Sequence, residues 1–252
     1  MVYGEKSRRK RGVKARQRII EVTSGNTGIA FAMISAIKGY KFTAIMPESM
    51  SIERQRMMRV FGAKLILTPA EKDMAGAMKK YEEFINKHKE AWLPRQFENL
   101  DNIVAHREGL GQEIIKQMRG KIDIFVAGIG TGGTLIGVAQ ALKKINPKVK
   151  IIAVEPRESA VLSGGKPGLH KIQGIGEGFI PKIIKNNIGL IDEVVSIRSQ
   201  DAINKMKELA TNYGILVGIS SGANILAALR FSKKYKNVVT VLSDRGERYL
   251  SM

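Results

Sequence analysis

The sequence predicts an α/β protein of two domains, each a mostly parallel sheet flanked by helices. Short apolar runs typical of buried strands alternate with stretches of helical periodicity along most of the 252 residues, and this alternation is the pattern of a parallel sheet. Three helix starts are rich in glycine and small polar residues, and such starts gather at the carboxyl ends of parallel strands. The alternation breaks between Ala91 and Asn102, where we place the domain junction.

The smaller domain is predicted over residues 19–102. Ile19-Ile20 reads as the end of a strand, a helix follows to about Lys38, and Gly39 stands where a glycine ends a helix. The remaining predicted elements are a strand over 41–46, a helix from Ser51 to Gly62, a strand over 64–68 and a charged helix over 71–90.

The larger domain is predicted over residues 103–252. Its predicted elements are a helix over 106–118, a strand over 122–127, a helix to about Ile145, a strand over 150–154, a strand over 193–197, helices over 199–212 and from about Ser220, and a strand over 238–242. Residues 157–181 hold six glycines and two prolines with little periodicity. A loop of this length inside a compact domain is usually functional.

The net charge of +19 raises nucleic acid as a partner. Eight basic residues against one acidic residue fall between residues 5 and 18, so residues 1–18 form a basic arm. Elsewhere lysine and arginine alternate with acidic residues, which is typical of solvated helix surface. We therefore expect no nucleic-acid partner, with a phosphate-binding arm as the alternative.

Composition excludes several classes of site and location. The chain contains no cysteine, which excludes disulfides, thiolate metal sites and cysteine nucleophiles. No window approaches 18 unbroken apolar residues, and the amino terminus lacks the apolar core of a secretory signal. The three histidines lack metal-ligand spacing. We therefore expect a cytoplasmic protein with no membrane span and no metal site.

The first helix start, Thr23–Gly28, reads Thr-Ser-Gly-Asn-Thr-Gly and is called the first loop below. Backbone amides at a helix start and the helix dipole both favour an anion. Three hydroxyls and one amide would let this turn grip a carboxylate. The alternative is a capped turn without a ligand, with Ser24 or Asn26 as the N-cap.

The second helix start, Gly130–Thr134, reads Gly-Thr-Gly-Gly-Thr and is called the glycine-rich loop. With Gly128 it satisfies the dinucleotide fingerprint, and Glu155 lies where a ribose-binding acid would be expected. A nicotinamide-dependent oxidoreductase is therefore one alternative. Two hydroxyls among three glycines instead suit a terminal phosphate dianion, and a glycine-rich turn without a ligand is a further alternative.

The third helix start is Gly218–Asn224, which carries two adjacent serines. Helix capping by Ser220 or Ser221 is the alternative to a catalytic role.

These segments, in their order and spacing, resemble one enzyme family. The resemblance is carried by the first loop, Gln96-Phe97, the glycine-rich loop, Lys171–Pro181 (KIQGIGEGFIP), Gly218–Ala223, Met46–Ser51 and Gly246–Ser251. Together they resemble cysteine synthase (O-acetylserine sulfhydrylase), a pyridoxal-phosphate-dependent family with the two-domain tryptophan-synthase-β-like fold (pyridoxal-phosphate fold type II). The Gln-Gly-Ile-Gly segment favours the sulfhydrylase over cystathionine β-synthase or threonine dehydratase.

The resemblance implies a role for each matching residue. The residues implied to hold the substrate α-carboxylate are Thr23, Ser24, Asn26, Thr27 and Gln96. Asn26 would also contact the 3′-oxygen of the cofactor. The residues implied to hold the 5′-phosphate are Gly130, Thr131, Gly132, Gly133 and Thr134. Ser220, with Ser221 as second choice, would face the pyridine nitrogen, and a neutral hydroxyl there suits β-elimination.

The implied reaction is the synthesis of cysteine by β-replacement, in which O-acetylserine loses acetate and sulfide adds in its place. The resemblance also implies a homodimer.

The sequence departs from the family pattern in one large respect. The family forms a Schiff base with a lysine in a Ser-x-Lys-Asp-Arg-like segment upstream of the first loop, and only 22 residues precede Thr23. Lys6, Lys10 and Lys14 lie in no such context.

We therefore assign no catalytic lysine. Two explanations are open. The chain is a truncated or misassigned reading frame of a cysteine synthase, which we favour, or it is a lysine-less relative that binds cofactor, amino acid or a partner protein without turnover.

Overall fold

A computed structural model describes residues 17–251. The basic arm up to residue 16, with Lys6, Lys10 and Lys14, lies outside the described residues. The chain divides into two compact units, one holding the residues up to Gln96 together with Glu247 and those after it, the other Phe97–Gly246. Across residues 17–251, no helix combines the length and hydropathy needed to span a membrane.

The first unit is a three-stranded parallel sheet in the order β1-β2-β3. Its elements are β1 (Arg18–Val22), α1 (Asn26–Lys38), β2 (Lys41–Pro47), α2 (Ile52–Val60), β3 (Lys64–Thr68) and α3 (Asp73–Asn86). Gly39 ends α1 in the left-handed conformation, with φ of 70°, as the sequence predicts. Phe31 packs between Phe42 and Trp92, with ring centroids 5.8 and 6.0 Å away.

The second unit is a four-stranded parallel sheet in the order β6-β5-β4-β7. Its elements are α4 (Leu100–Glu108), α5 (Leu110–Gln117), β4 (Ile124–Gly128), α6 (Gly133–Ile145), β5 (Lys150–Pro156), α7 (Lys182–Lys185), β6 (Glu193–Ile197), α8 (Ser199–Tyr213), α9 (Ile219–Phe231) and β7 (Val238–Thr240). The two inner strands, β4 and β5, are almost entirely buried, because helices cover both faces of such a sheet.

The prediction of a single helix over 106–118 is wrong. The structure has two helices, α4 and α5, separated by Gly109, whose backbone (φ −98°, ψ −99°) is not helical. The first of them begins at Leu100, because the Asn99 side chain accepts a hydrogen bond from the Asp101 amide at 3.0 Å and caps the helix. The charged helix predicted over 71–90 is shorter than expected and covers Asp73–Asn86.

The two units also differ in extent from the predicted domains, 19–102 and 103–252. The junction lies between Gln96 and Phe97, and the residues from Glu247 onward belong to the first unit. The contact that explains the second difference is between α2 and the chain end. Both the amide and the hydroxyl of Ser251 donate to the carboxylate of Glu53, at 2.7 and 3.0 Å.

Candidate functional site

The first loop connects β1 to α1 and is built around the Thr23 hydroxyl. Thr23 is 1% exposed, and its Oγ1 accepts hydrogen bonds from the amides of Gly25 at 3.0 Å and Gly28 at 3.2 Å. The turn is packed closely at Gly28, because a Cβ there would lie 2.7 Å from both Met58 Sδ and Thr23 Cγ2. The oxygen of Thr23 therefore holds the turn itself in shape.

The other polar side chains of the first loop lie at the start of α1. Ser24, Asn26 and Thr27 are half-buried. The N-cap is Gly25, which makes no side-chain capping bond, so the alternative in which Ser24 or Asn26 is the N-cap is not the arrangement in the structure. The Gly28 amide of the first turn donates to Thr23 Oγ1, and the amides of Asn26 and Thr27 lie at the positive end of the helix dipole, which favours an anionic ligand. This geometry suits a carboxylate.

The structure brings Gln96 to the same place. Its side-chain Nε2 donates to the Val22 carbonyl at 2.6 Å, one residue before the first loop. Its backbone amide donates to Glu21 Oε2 at 3.1 Å, and the Val22 amide donates to Glu21 Oε1 at 3.0 Å. The five residues predicted to hold the substrate carboxylate therefore cluster at the carboxyl end of β1.

Glu21, which joins these two backbone amides, is completely buried. Burial raises the pKa of its carboxyl group to about 8, and the amides of Gln96 and Val22 lower it only in part. The sequence analysis did not identify Glu21 as part of the site. The available signal was a single acidic residue between the apolar residues Ile20 and Val22 of β1.

The glycine-rich loop leads from β4 into α6. Gly132 is the N-cap, with φ of 89°, and makes no side-chain capping bond. A Cβ at Gly130 would lie 2.5 Å from the Gly174 carbonyl oxygen, and one at Gly132 would lie 2.5 Å from Ile184 Cδ1. The glycines are required because other backbone and side-chain atoms approach the loop closely.

Two side chains of α4 lie behind the glycine-rich loop. Asn102 Nδ2 donates to Thr131 Oγ1 at 2.9 Å, and the Gly133 amide donates to the same oxygen at 3.3 Å. A hydroxyl has two acceptor sites and one donor. Because both acceptor sites of Thr131 are used, its proton is directed away from these two donors and is available to an anion.

His106 makes the corresponding contact with the second threonine. Its Nε2 lies 3.2 Å from Thr134 Oγ1. Burial lowers the pKa of the His106 imidazole, so the ring is neutral at pH 7 and carries one proton. With that proton on Nε2, His106 donates to Thr134, and the threonine hydroxyl can donate to an anion.

The two serines at the start of α9 have different surroundings. Ser221 is completely buried, and its Oγ accepts the Ser243 amide at 3.1 Å. Ser220 is 3% exposed, and within residues 17–251 its hydroxyl has no hydrogen-bond partner. Asn224, one turn later, accepts the Gly128 amide at 2.8 Å and donates to Val241 at 2.9 Å. This residue ties the end of β4 to the start of α9.

The dinucleotide alternative conflicts with the position of Glu155. Its Oε2 accepts the Leu162 amide at 2.8 Å, and its Oε1 accepts the Ser163 amide at 3.2 Å and the Ser163 hydroxyl. Both oxygens therefore hold the loop that follows β5. The fingerprint Gly128-x-Gly130-x-x-Gly133 lacks its ribose-binding acid.

Comparison with known proteins identifies the family of the chain. The model of the family described as pyridoxal-phosphate dependent enzyme matches residues 2–244. Cysteine synthase B of Campylobacter jejuni is 51% identical over 235 residues, which is 92% of this chain and 78% of that protein.

Two solved structures share the fold. Cysteine synthase from Entamoeba histolytica has a TM-score of 0.90 and 42% identity, covering 99% of this chain and 75% of that one. An O-acetylserine dependent cystathionine beta-synthase from Helicobacter pylori has a TM-score of 0.94 and 38% identity, covering 100% of this chain and 82% of that one.

Proposed function

We propose that this chain, which belongs to the family of pyridoxal-phosphate-dependent enzymes, is built to make cysteine from O-acetylserine and sulfide. The observation that carries the proposal is the 51% identity with a cysteine synthase over 92% of the chain. The reaction is a β-replacement. The bond from Cβ to the acetate oxygen breaks, acetate leaves, and a bond from Cβ to sulfur forms.

The glycine-rich loop fits the phosphate group of the cofactor. Thr131 accepts a hydrogen bond from Asn102 of α4, and Thr134 lies 3.2 Å from His106 Nε2 of the same helix. Each threonine hydroxyl can therefore donate its proton to a phosphate oxygen. The uncapped start of α6 adds backbone amides and the positive end of a helix dipole. We assign the five residues of this loop, Gly130, Thr131, Gly132, Gly133 and Thr134, to the phosphate.

Ser220 fits the pyridine nitrogen better than Ser221 does. The Ser221 hydroxyl already holds the Ser243 amide, whereas the Ser220 hydroxyl has no partner within the described part of the chain. When bound, pyridoxal phosphate supplies an electron sink for the electrons released at the substrate Cα. A neutral hydroxyl at its nitrogen keeps that sink moderate, which suits β-elimination of a good leaving group.

The first loop is assigned to the amino-acid substrate. Ser24, Asn26 and Thr27 stand at the uncapped start of α1, and Gln96 is held beside them, so the α-carboxylate would receive several donors. Thr23 would act mainly by shaping the turn, since its oxygen accepts two loop amides. Asn26 is also assigned to the 3′-oxygen of the cofactor.

Removal of the Cα proton needs a base. The family resemblance gives this role to the Schiff-base lysine, and we assign it to no residue between 17 and 251. The test of the proposed reaction must therefore supply an amine. A small primary amine such as methylamine can take over the function of a lysine side chain.

The experiment combines the purified chain with pyridoxal phosphate, O-acetylserine and sulfide, with and without methylamine. We expect cysteine to form in the methylamine reaction at least, and to require both substrates. The double variant Thr131→Val, Thr134→Val should reduce this rate by more than tenfold. Absence of cysteine from both reactions, or equal rates for the variant, would contradict the proposal.

We also propose that the chain forms a homodimer and acts in the cytoplasm. Supporting association, Met33 and Ile37 on one face of α1 are 39% and 72% exposed, and solvent-facing apolar side chains on one helix face favour contact with another protein. Light scattering should give twice the chain mass of 27.8 kDa. Cell fractionation tests the location, which the absence of cysteine in the sequence favours.

A further inference from the structure

We infer that the carboxyl-terminal segment, residues 247–251, holds the first loop in its binding conformation, with Arg248 and Tyr249 as positioning residues. This inference rests on the proposed function of the first loop. The segment lies after residue 244, where the match to the family model ends. Three separate contacts in the first unit carry the inference.

The first contact is through Arg54, which joins the loop and the segment. This arginine of α2 is completely buried. Its Nη1 donates to the Ser24 carbonyl at 2.9 Å, its Nη2 donates to the Tyr249 hydroxyl, and its guanidinium carbon lies 4.9 Å from the centre of the Tyr249 ring. The planar guanidinium thus fixes both partners at once.

The loop lies directly on this arginine. Gly25 has φ of 149°, and a Cβ at this position would lie 2.6 Å from Arg54 Cδ. The Arg54 side chain therefore packs closely against the backbone of the first loop at Gly25. Tyr249, which contacts the same guanidinium, is 3% exposed.

The second contact is between Arg248 and Asn26, where Arg248 Nη1 donates to Asn26 Oδ1. Arginine has donors and no acceptor, so this bond fixes which end of the Asn26 amide faces Arg248. The Nδ2 end of Asn26 is then presented as a donor on the other side. Arg248 therefore fixes the orientation of the Asn26 side chain in the first loop.

The third contact anchors the end of the segment. Ser251 donates twice to Glu53 of α2, the neighbour of Arg54. The segment is thereby attached to α2 just beyond the Arg248-Tyr249 pair. Leu250, which lies between Tyr249 and Ser251, is 72% exposed and serves as a matched control position.

The experiment compares the variants Arg248→Ala, Arg248→Lys and Tyr249→Phe with the control Leu250→Ala in the full chain. Hydrogen–deuterium exchange of the amides in residues 24–29 is the primary measurement, because it does not depend on activity. We expect Arg248→Ala and Tyr249→Phe to speed exchange in the first loop about tenfold or more, since each loses one hydrogen bond. The glycine-rich loop and the Leu250→Ala variant should exchange as the unchanged protein does.

The kinetic measurement separates positioning from folding. Arg248→Ala should raise KM for O-acetylserine about tenfold and change kcat less than threefold, and Arg248→Lys should recover part of the loss. Unchanged exchange in the first loop of both the Arg248→Ala and the Tyr249→Phe variants, or an equal increase in both loops, would overturn the inference. If the unchanged chain makes no cysteine, the proposed function fails, and the exchange measurement still decides this inference.

Discussion

Glu21 is a fully buried acid whose proton should affect stability. Its pKa is raised by burial to about 8 from an ordinary value of 4.5. The folded protein therefore keeps this proton at a pH where the unfolded chain has released it. The free energy of unfolding should fall as the pH rises from about 4.5 to about 8, by at most about 1.4 kcal/mol per pH unit from this group.

Urea unfolding at pH 5, 6, 7 and 8 measures this effect in the unchanged protein and in Glu21→Gln. The variant cannot ionise at position 21, so its stability should fall less over the same range. The difference between the two proteins isolates Glu21 from other titrating groups. Parallel curves would show that the Glu21 pKa is ordinary.

Asn102 determines the direction of a proton in the glycine-rich loop. Its side-chain amide donates to Thr131 Oγ1 at 2.9 Å. Without this donor, the Thr131 hydroxyl could also turn its proton away from a bound anion. We expect Asn102→Ala to raise the dissociation constant of pyridoxal phosphate about tenfold, as for the loss of one hydrogen bond to an anion-binding group. Titration of the cofactor absorbance measures this constant.

The control for this change is Asn204→Ala on α8. Asn204 is exposed, and its side chain accepts a hydrogen bond from Gln200 at the surface. Its replacement should leave the dissociation constant unchanged. Equal effects of the two variants would contradict the assigned role of Asn102.

At the scale of elements, the close approach of α4 to the start of α6 constrains the glycine-rich loop. A Cβ at Gly133 would overlap Asn102 Oδ1. We expect Gly133→Ala to displace the loop or α4 and to weaken pyridoxal-phosphate binding more than tenfold. Gly189→Ala is the matched control, because an added Cβ there meets nothing within 4 Å. Cofactor titration that finds the same affinity in both variants would refute the argument.

Much of the element order could be predicted from the sequence, because glycines mark several boundaries. Gly39 ends α1 and Gly132 precedes α6 as left-handed residues, and both are visible as glycines after or before periodic runs. The start of α4 could not be predicted in the same way. Its signal, Asn99 as a cap, stands in a run without apolar periodicity, and Ile103 is the one residue of this helix that is buried.

At the scale of the whole molecule, the loops of the site could be located by motif, whereas their supports could not. Asn102 and His106 are four residues apart, so a helix would place them on one face, and this spacing was an available signal. Arg54 and Arg248 gave no such signal. Their contacts with Tyr249 and Asn26 join residues 195 and 222 positions apart in the sequence, and only the folded chain brings them together.

The two units carry different parts of the proposed site. The unit with α1 carries the residues assigned to the substrate carboxylate, and the unit with α6 carries those assigned to the cofactor phosphate. Each assignment has its own measurement, since substrate KM reports on the first and cofactor titration on the second. The reaction itself requires a further observation.

That observation is the fate of the substrate Cβ. O-acetyl-L-serine labelled with carbon-13 at Cβ is mixed with the protein, pyridoxal phosphate, sulfide and methylamine, and followed by carbon-13 NMR. The proposed β-replacement predicts that the labelled signal moves to the Cβ of cysteine, with the release of one acetate per cysteine. Label that accumulates only in pyruvate, or that stays in O-acetylserine, would contradict the proposal that this chain is built to make cysteine.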